Sequence, residues 1–200
     1  MLSLAKGFYN YLNQKEEYTV LILGLADSGK TFISEQIKEI YTGLPALNSD
    51  TIQPTIGVNI RKININKIQL KFIDLGGDEQ LRDIWEAYYS PCNGILFVVD
   101  LAKPESINQT FEVFKNILSA PELSSLPVSI LGNRAETENA FPLYQLKENL
   151  NKLLDIIEDR DCRVFQISNQ LEIELPRAIS WIYHRMLDNK LSHPPIMINT

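Results

Sequence analysis

The stretch "GLADSGKT" (24–31) sets Gly24, Gly29, Lys30 and Thr31 at the spacing G-x-x-x-x-G-K-[ST]. It follows the apolar run "YTVLILG" (18–24) and precedes a helical pattern that begins near Thr31. Glycines let a backbone wrap a phosphate, and successive N–H groups with a helix N-terminus supply the positive potential. The chain at Asp27, Ser28 and Gly29 then borders the phosphates, Lys30 reaches the terminal ones as a point charge, and the Thr31 hydroxyl is placed to bind Mg²⁺. The Asp27 carboxylate has to point away from the phosphates or oppose them.

Three further stretches complete such a site. "PTIG" (54–57) offers Thr55 as a second hydroxyl for the metal, and "DLGG" (74–77) ends an apolar run with Asp74 opposite Thr31. Gly76 and Gly77 allow a backbone N–H to approach a γ-phosphate with no Cβ in the way. Thr31, Thr55 and Asp74 are thus the expected metal set, with Thr55 and Gly77 as mobile reporters of the γ-phosphate. "GNRAE" (132–136) follows "LPVSIL" (126–131), where the chain is expected to select a base. A carboxylate at Glu136 accepts the adjacent N1–H and N2–H₂ donors of guanine and repels the N1 acceptor of adenine. Asn133 braces the loop, and Arg134 can lay its guanidinium over the base or the phosphate loop.

The elements that must carry these residues read as an α/β domain with a mainly parallel sheet. "YTVLILG", "GILFVVD" (94–100), "PVSILGN" (127–133) and "CRVFQIS" (162–168) are buried strand candidates. "VNIRKIN" and "IQLKFID", joined by a polar turn at Asn66, read as an antiparallel hairpin, giving six strands. Helical stripes alternate with them: Leu81, Ile84, Trp85, Tyr88 and Tyr89; Ile107, Phe111, Phe114 and Leu118; Leu146, Leu150, Leu153 and Leu154; and Ile179, Ile182, Tyr183 and Met186. Residues 1–16 are expected as an amphipathic helix, with Leu4, Phe8 and Leu12 on one face, residues 17–187 as the nucleotide domain, and 188–200 as an extended, partly disordered tail.

Composition removes other classes. Two hundred residues suit one domain, and a formal charge of -6 with no Lys/Arg block argues against nucleic acid as the partner. Cys92 and Cys162 are too few and too far apart for a disulfide framework, so reduced intracellular thiols are expected. His184 and His193 form no metal or catalytic constellation. No apolar run nears the ~18 residues of a membrane span, and the start lacks signal-peptide features, so a cytosolic monomer is expected, with peripheral membrane contact through the N-terminal helix left open.

With these motifs in this order, the sequence resembles the Arf family of small GTPases. The likeness runs from Leu2 to Pro195 and is nearest to the Arf-related branch, in "NQKEEYTVLILGL", "YYSPCNGILFVVD" and the closing "HPP". It implies a P-loop small-GTPase domain that binds GTP/GDP and Mg²⁺ and cycles at Golgi membranes in vesicular traffic. An exchange factor, an activating protein and effectors are the implied partners. It further implies that the switch hairpin shifts register with nucleotide and displaces the N-terminal helix. Leu2 stands where many Arf proteins carry a myristoylated glycine, so the resemblance points to a membrane-protein receptor in place of that lipid.

Three regions depart from the family. Asp78 stands in place of the glutamine that orients the attacking water; it is shorter, accepts only, and adds negative charge beside a phosphate, so slow hydrolysis is expected. Ile73 replaces a tryptophan, and Val58 a bulkier residue, which alters the expected partner surface; Trp85 and Tyr88 match. Glu136 replaces the aspartate of N-K-x-D, at an expected loss of ~1–3 kcal/mol of guanine binding. Ser168 matches a Ser-Ala pair whose backbone N–H meets the guanine oxygen, while Asn169 departs. A regulatory GTPase, a nucleotide-locked or nucleotide-poor scaffold, and a P-loop kinase of small substrates are the readings in play.

Overall fold

The computed structural model describes residues 14–153, 160–168 and 171–199. Seven strands and four α-helices occupy these residues: β1 Gln14–Leu23, α1 Lys30–Thr42, β2 Val58–Ile65, β3 Ile68–Leu75, β4 Gly94–Asp100, α2 Ile107–Leu118, β5 Val128–Asn133, α3 Leu143–Asn151, β6 Cys162–Gln166, α4 Leu171–Asp188 and β7 Ile196–Asn199. The sheet order is β2-β3-β1-β4-β5-β6, parallel from β3 through β6, with β2 antiparallel to β3.

The parallel strands are apolar on both faces because helices cover both. Leu21, Leu23, Phe97 and Val99 pack with Trp85, Phe114, Ile117 and Leu146 on one side. Their sequence neighbours Val20, Ile22, Leu96 and Val98 pack with Ile33, Ile37, Ile179 and Ile182 on the other. The β2–β3 hairpin closes through Asn66 and Lys67 in register Ile65↔Ile68, with Asn66 at φ 57, a left-handed conformation that asparagine tolerates.

The expected six strands are present, with a seventh added. β7 pairs antiparallel with the start of β1, from Gln14↔Asn199 to Glu17↔Ile196. Within the segment expected as an extended, partly disordered tail, Ile196–Asn199 are strand, and residues 14–16, assigned to the N-terminal helix, are strand as well. The buried Asn93 side chain accepts from the Thr19 N–H at 2.8 Å and donates to the His193 carbonyl at 3.1 Å, and Lys190 pairs with Glu16. Glu79–Tyr88, expected as a helix of ordinary pitch, is a 3-10 helix; Trp85 within it and Tyr89 just after it are buried, with Leu81, Ile84 and Tyr88 partly covered. Leu153 lies past the end of α3, and Leu154 and the N-terminal stripe at Leu4, Phe8 and Leu12 lie outside the described residues. No described helix is long and apolar enough to cross a membrane.

Candidate nucleotide site

The carboxyl ends of β1, β3, β4, β5 and β6 open on one rim of the sheet, where ligands bind in open α/β folds. A cleft of about 660 Å³ lies there. Lys30, Thr31, Thr55 and Gly77 line one end of it, and Asn133, Arg134, Glu136 and Ser168 the other. Gly24, Ser28 and Asp74 stand behind this lining; Ser28 and Asp74 are buried.

At the phosphate end, Gly29 sits at φ 91 as the residue before α1, and a Cβ there would lie 2.3 Å from Asn133 Nδ2. That amide donates to the Ser28 carbonyl at 2.9 Å, so the base-side loop rests on the phosphate loop. Lys30 is buried and donates to the Leu25 carbonyl at 2.6 Å. Burial lowers its pKa to about 8, against the opposing pull of Asp74 and Asp27. The Asp27 carboxylate is turned outward, at 4.0 Å from Lys103 Nζ, which answers how an acid fits in this loop.

Thr31 Oγ1 donates to Asp74 Oδ2 at 2.7 Å and lies 2.7 Å from Thr55 Oγ1. Three residues from distant stretches thus meet at one point. Asp74 Oδ1 is buried and has no hydrogen-bond partner among the described residues, and burial raises the carboxyl's pKa despite Thr31 and Lys30. An orphaned anionic oxygen beside two hydroxyls fits a hard divalent cation or its water shell.

Gly77 lies against the phosphate loop so closely that a Cβ would come within 2.4 Å of Lys30 Nζ and 2.5 Å of the Gly24 carbonyl. Its neighbour Gly76 donates to the Gly57 carbonyl at 3.0 Å, joining the Thr55 segment to the strand end. Asp78 faces the cleft, but its carboxylate caps the following 3-10 helix by accepting from the Gln80 N–H at 3.1 Å.

At the base end, Arg134 reaches the phosphate loop, one of the two placements expected of it. It adopts φ 58 and its Nη1 donates to Asp100 Oδ2 at 2.5 Å and to the Asp27 carbonyl at 3.1 Å, tying the loop to β4 and to the phosphate loop. Glu136 is exposed at the cleft, and its carboxylate takes no hydrogen bond from the described residues. Ser168 reaches the cleft as expected, yet its N–H and hydroxyl both donate to Glu174 rather than toward a base. Asn169 lies outside the described residues. Sequence reasoning missed Asp100, Glu174 and Lys103; Asp100 closes the run "GILFVVD", which is the one signal that could have raised it.

The profile of the Arf family, the ADP-ribosylation factor family, matches residues 4–186. The chain belongs to this family. It is 38% identical over 197 residues to ADP-ribosylation factor-like protein 3 of Saccharomyces cerevisiae, covering 98% of this chain and 99% of that one. ADP-ribosylation factor-related protein 1 of Rattus norvegicus and of Homo sapiens are each 31% identical over 196 residues, covering 98% of this chain and 97% of theirs. Among solved structures, the Arl6 BBS3 small GTPase from Trypanosoma brucei with bound nucleotide analogue GppNp superposes with a TM-score of 0.73 at 23% identity, over 86% of this chain and 98% of that one. The fold is therefore that of a small GTPase, and the chain is an Arf-like GTP-binding protein. The kinase reading falls with that membership. Ile73, read as an altered partner surface, is a buried residue of the Arf core instead.

Proposed function

We propose that this Arf-family protein is a GTP/GDP switch that hydrolyses GTP slowly and regulates vesicular traffic at Golgi membranes. The observation that carries the switch reading is the meeting of Thr31, Thr55 and Asp74 beside Lys30 and Gly77. Thr31, Thr55 and Asp74 would hold Mg²⁺, which when bound offsets the charge of the β- and γ-phosphates. Lys30 neutralises the same oxygens, the Gly77 backbone approaches the γ-phosphate, and the Thr55 and Gly77 segments are held together by the Gly76 N–H. Loss of the γ-phosphate removes what Thr55 and Gly77 converge on, so both segments are free to rearrange for partners.

Asp78 supports slow turnover. Its carboxylate is engaged as a helix cap, accepts only, and would repel a phosphate rather than donate to an attacking water. An activating protein that brings its own arginine would restore much of the rate. The Golgi assignment, recruitment through a membrane-protein receptor and the role of the N-terminal helix rest on the likeness to Arf-related proteins; co-localisation of the tagged protein with Golgi markers tests them.

The departures at Asp78 and Glu136 support a second reading, a nucleotide-locked or nucleotide-poor scaffold. Purification with Mg²⁺, denaturation and chromatography of the released nucleotide separates the two. Stoichiometric GDP or GTP, bound far more tightly than ATP, supports the switch. An empty protein with weak, unselective titration supports the scaffold.

A further inference from the structure

We propose that Glu174 is a positioning residue for base recognition, holding the Ser168 end of the cleft in place from within α4; the inference rests on the guanine-nucleotide reading. Glu174 stands in the first turn of α4, and the adjacent Leu175 is fully buried, so the backbone carrying the carboxylate is anchored in the core. Its Oε2 accepts from the Ser168 N–H at 2.6 Å, and the Ser168 hydroxyl lies 3.0 Å from both oxygens. Hydrogen bonds to an ionised acceptor are shorter and about twice as strong as neutral ones, so this contact fixes Ser168 rather than merely touching it.

The effect reaches the residue expected to read the base. Ile167, beside Ser168, donates its N–H to the Gly132 carbonyl at 2.8 Å and accepts from the Ala135 N–H at 3.3 Å. Ser168 and Glu136 are thereby two ends of one short backbone linkage. On the far flank Asp100 holds Arg134 in the same manner. Both flanks of the base end are secured by internal carboxylates, and Glu136 is left to face the ligand. With its N–H and hydroxyl both engaged, Ser168 contributes shape to the pocket and no donor to the base.

The test compares wild type, Glu174→Gln and Glu174→Ala. Release of a fluorescent GDP from Glu174→Ala is expected to be about tenfold faster, as for loss of a charged hydrogen bond. Glu174→Gln, which keeps an acceptor oxygen, should fall between. Affinity of the nucleotide-free protein for pyrophosphate, which has no base, should stay at the wild-type value. Hydrogen exchange in the nucleotide-free variants should rise at residues 133–136 and 166–168 while the phosphate loop is unchanged. Wild-type release with unchanged exchange overturns the proposal, as does an equal loss of GDP and pyrophosphate binding, which marks general weakening of α4. If wild type binds no guanine nucleotide, the function reading fails, and the exchange measurement alone still decides for or against Glu174.

Discussion

The Trp85 indole N–H donates to the Gly76 carbonyl at 2.9 Å. Through this bond a buried core side chain touches the glycine that also clips the Thr55 segment, so a rearrangement at the phosphate end is expected to reach Trp85. Exchange of GDP for GTP is expected to change intrinsic fluorescence in wild type and Trp181→Phe, and to leave it flat in Trp85→Phe. The same Trp85→Phe change leaves the Gly76 carbonyl unpaired and should lower stability by about 1–3 kcal/mol, read by denaturant unfolding.

Asp78→Gln places a donor on the cleft wall where the proposed γ-phosphate site lies. Single-turnover phosphate release should rise at least tenfold, while GDP affinity stays the same. An unchanged rate would overturn the proposed role of Asp78. Asp78→Ala removes the cap on Gln80 and should cost about 1 kcal/mol, visible as a lower melting temperature.

Glu136→Asp shortens by one methylene the carboxylate proposed to read the base. If Glu136 meets guanine with imperfect geometry, this variant binds GDP about tenfold more tightly by titration, within the ~1–3 kcal/mol of a charged hydrogen bond. Xanthosine diphosphate binding, which lacks the 2-amino donor, should gain nothing.

Lys30 gives the empty protein a pH signature. Its folded pKa of about 8 lies below the ordinary 10.5, so between those values the unfolded chain holds the proton and the folded one does not. Stability of the nucleotide-free protein therefore rises with pH across that window. Nucleotide binding runs the other way: a neutral Lys30 gives up its attraction for phosphate, so GDP affinity should fall above pH 8. Isothermal titration in buffers of differing ionisation heat should register proton uptake there.

The two periodicities and the glycine spacing made most of the fold legible. Alternate residues of β1 and β4 pack on opposite faces, as continuous apolar runs imply for strands covered on both sides. At the phosphate end Gly29, Lys30 and Thr31 were legible from consecutive positions, and Thr55 and Asp74 from two further short motifs that only the fold brings to Thr31. At the base end Asn133, Arg134, Glu136 and Ser168 line the cleft as expected, but the internal partners of Arg134 and Ser168 were not legible. Arg134 meets Asp100 across two strands, and Ser168 meets Glu174 from a helix, so neither contact leaves a spacing to read. The 3-10 pitch of Glu79–Tyr88 escaped because its apolar positions satisfy the 3.6-residue pattern nearly as well. β7 escaped because four residues with Ile196 and Met197 half-exposed carry no alternation.

The pairing of β7 with the first residues of β1 sets an order in time as the chain is made. Gln14–Glu17 leave the ribosome about 180 residues before Ile196–Asn199. At roughly 5–20 residues per second, that is on the order of ten to forty seconds. During this interval β3 can satisfy one side of the strand's start, at Glu16 and Glu17, while the other side stays a bare edge able to recruit a foreign strand. The first residues of β1 thus complete their pairing only once Ile196–Asn199 have been made.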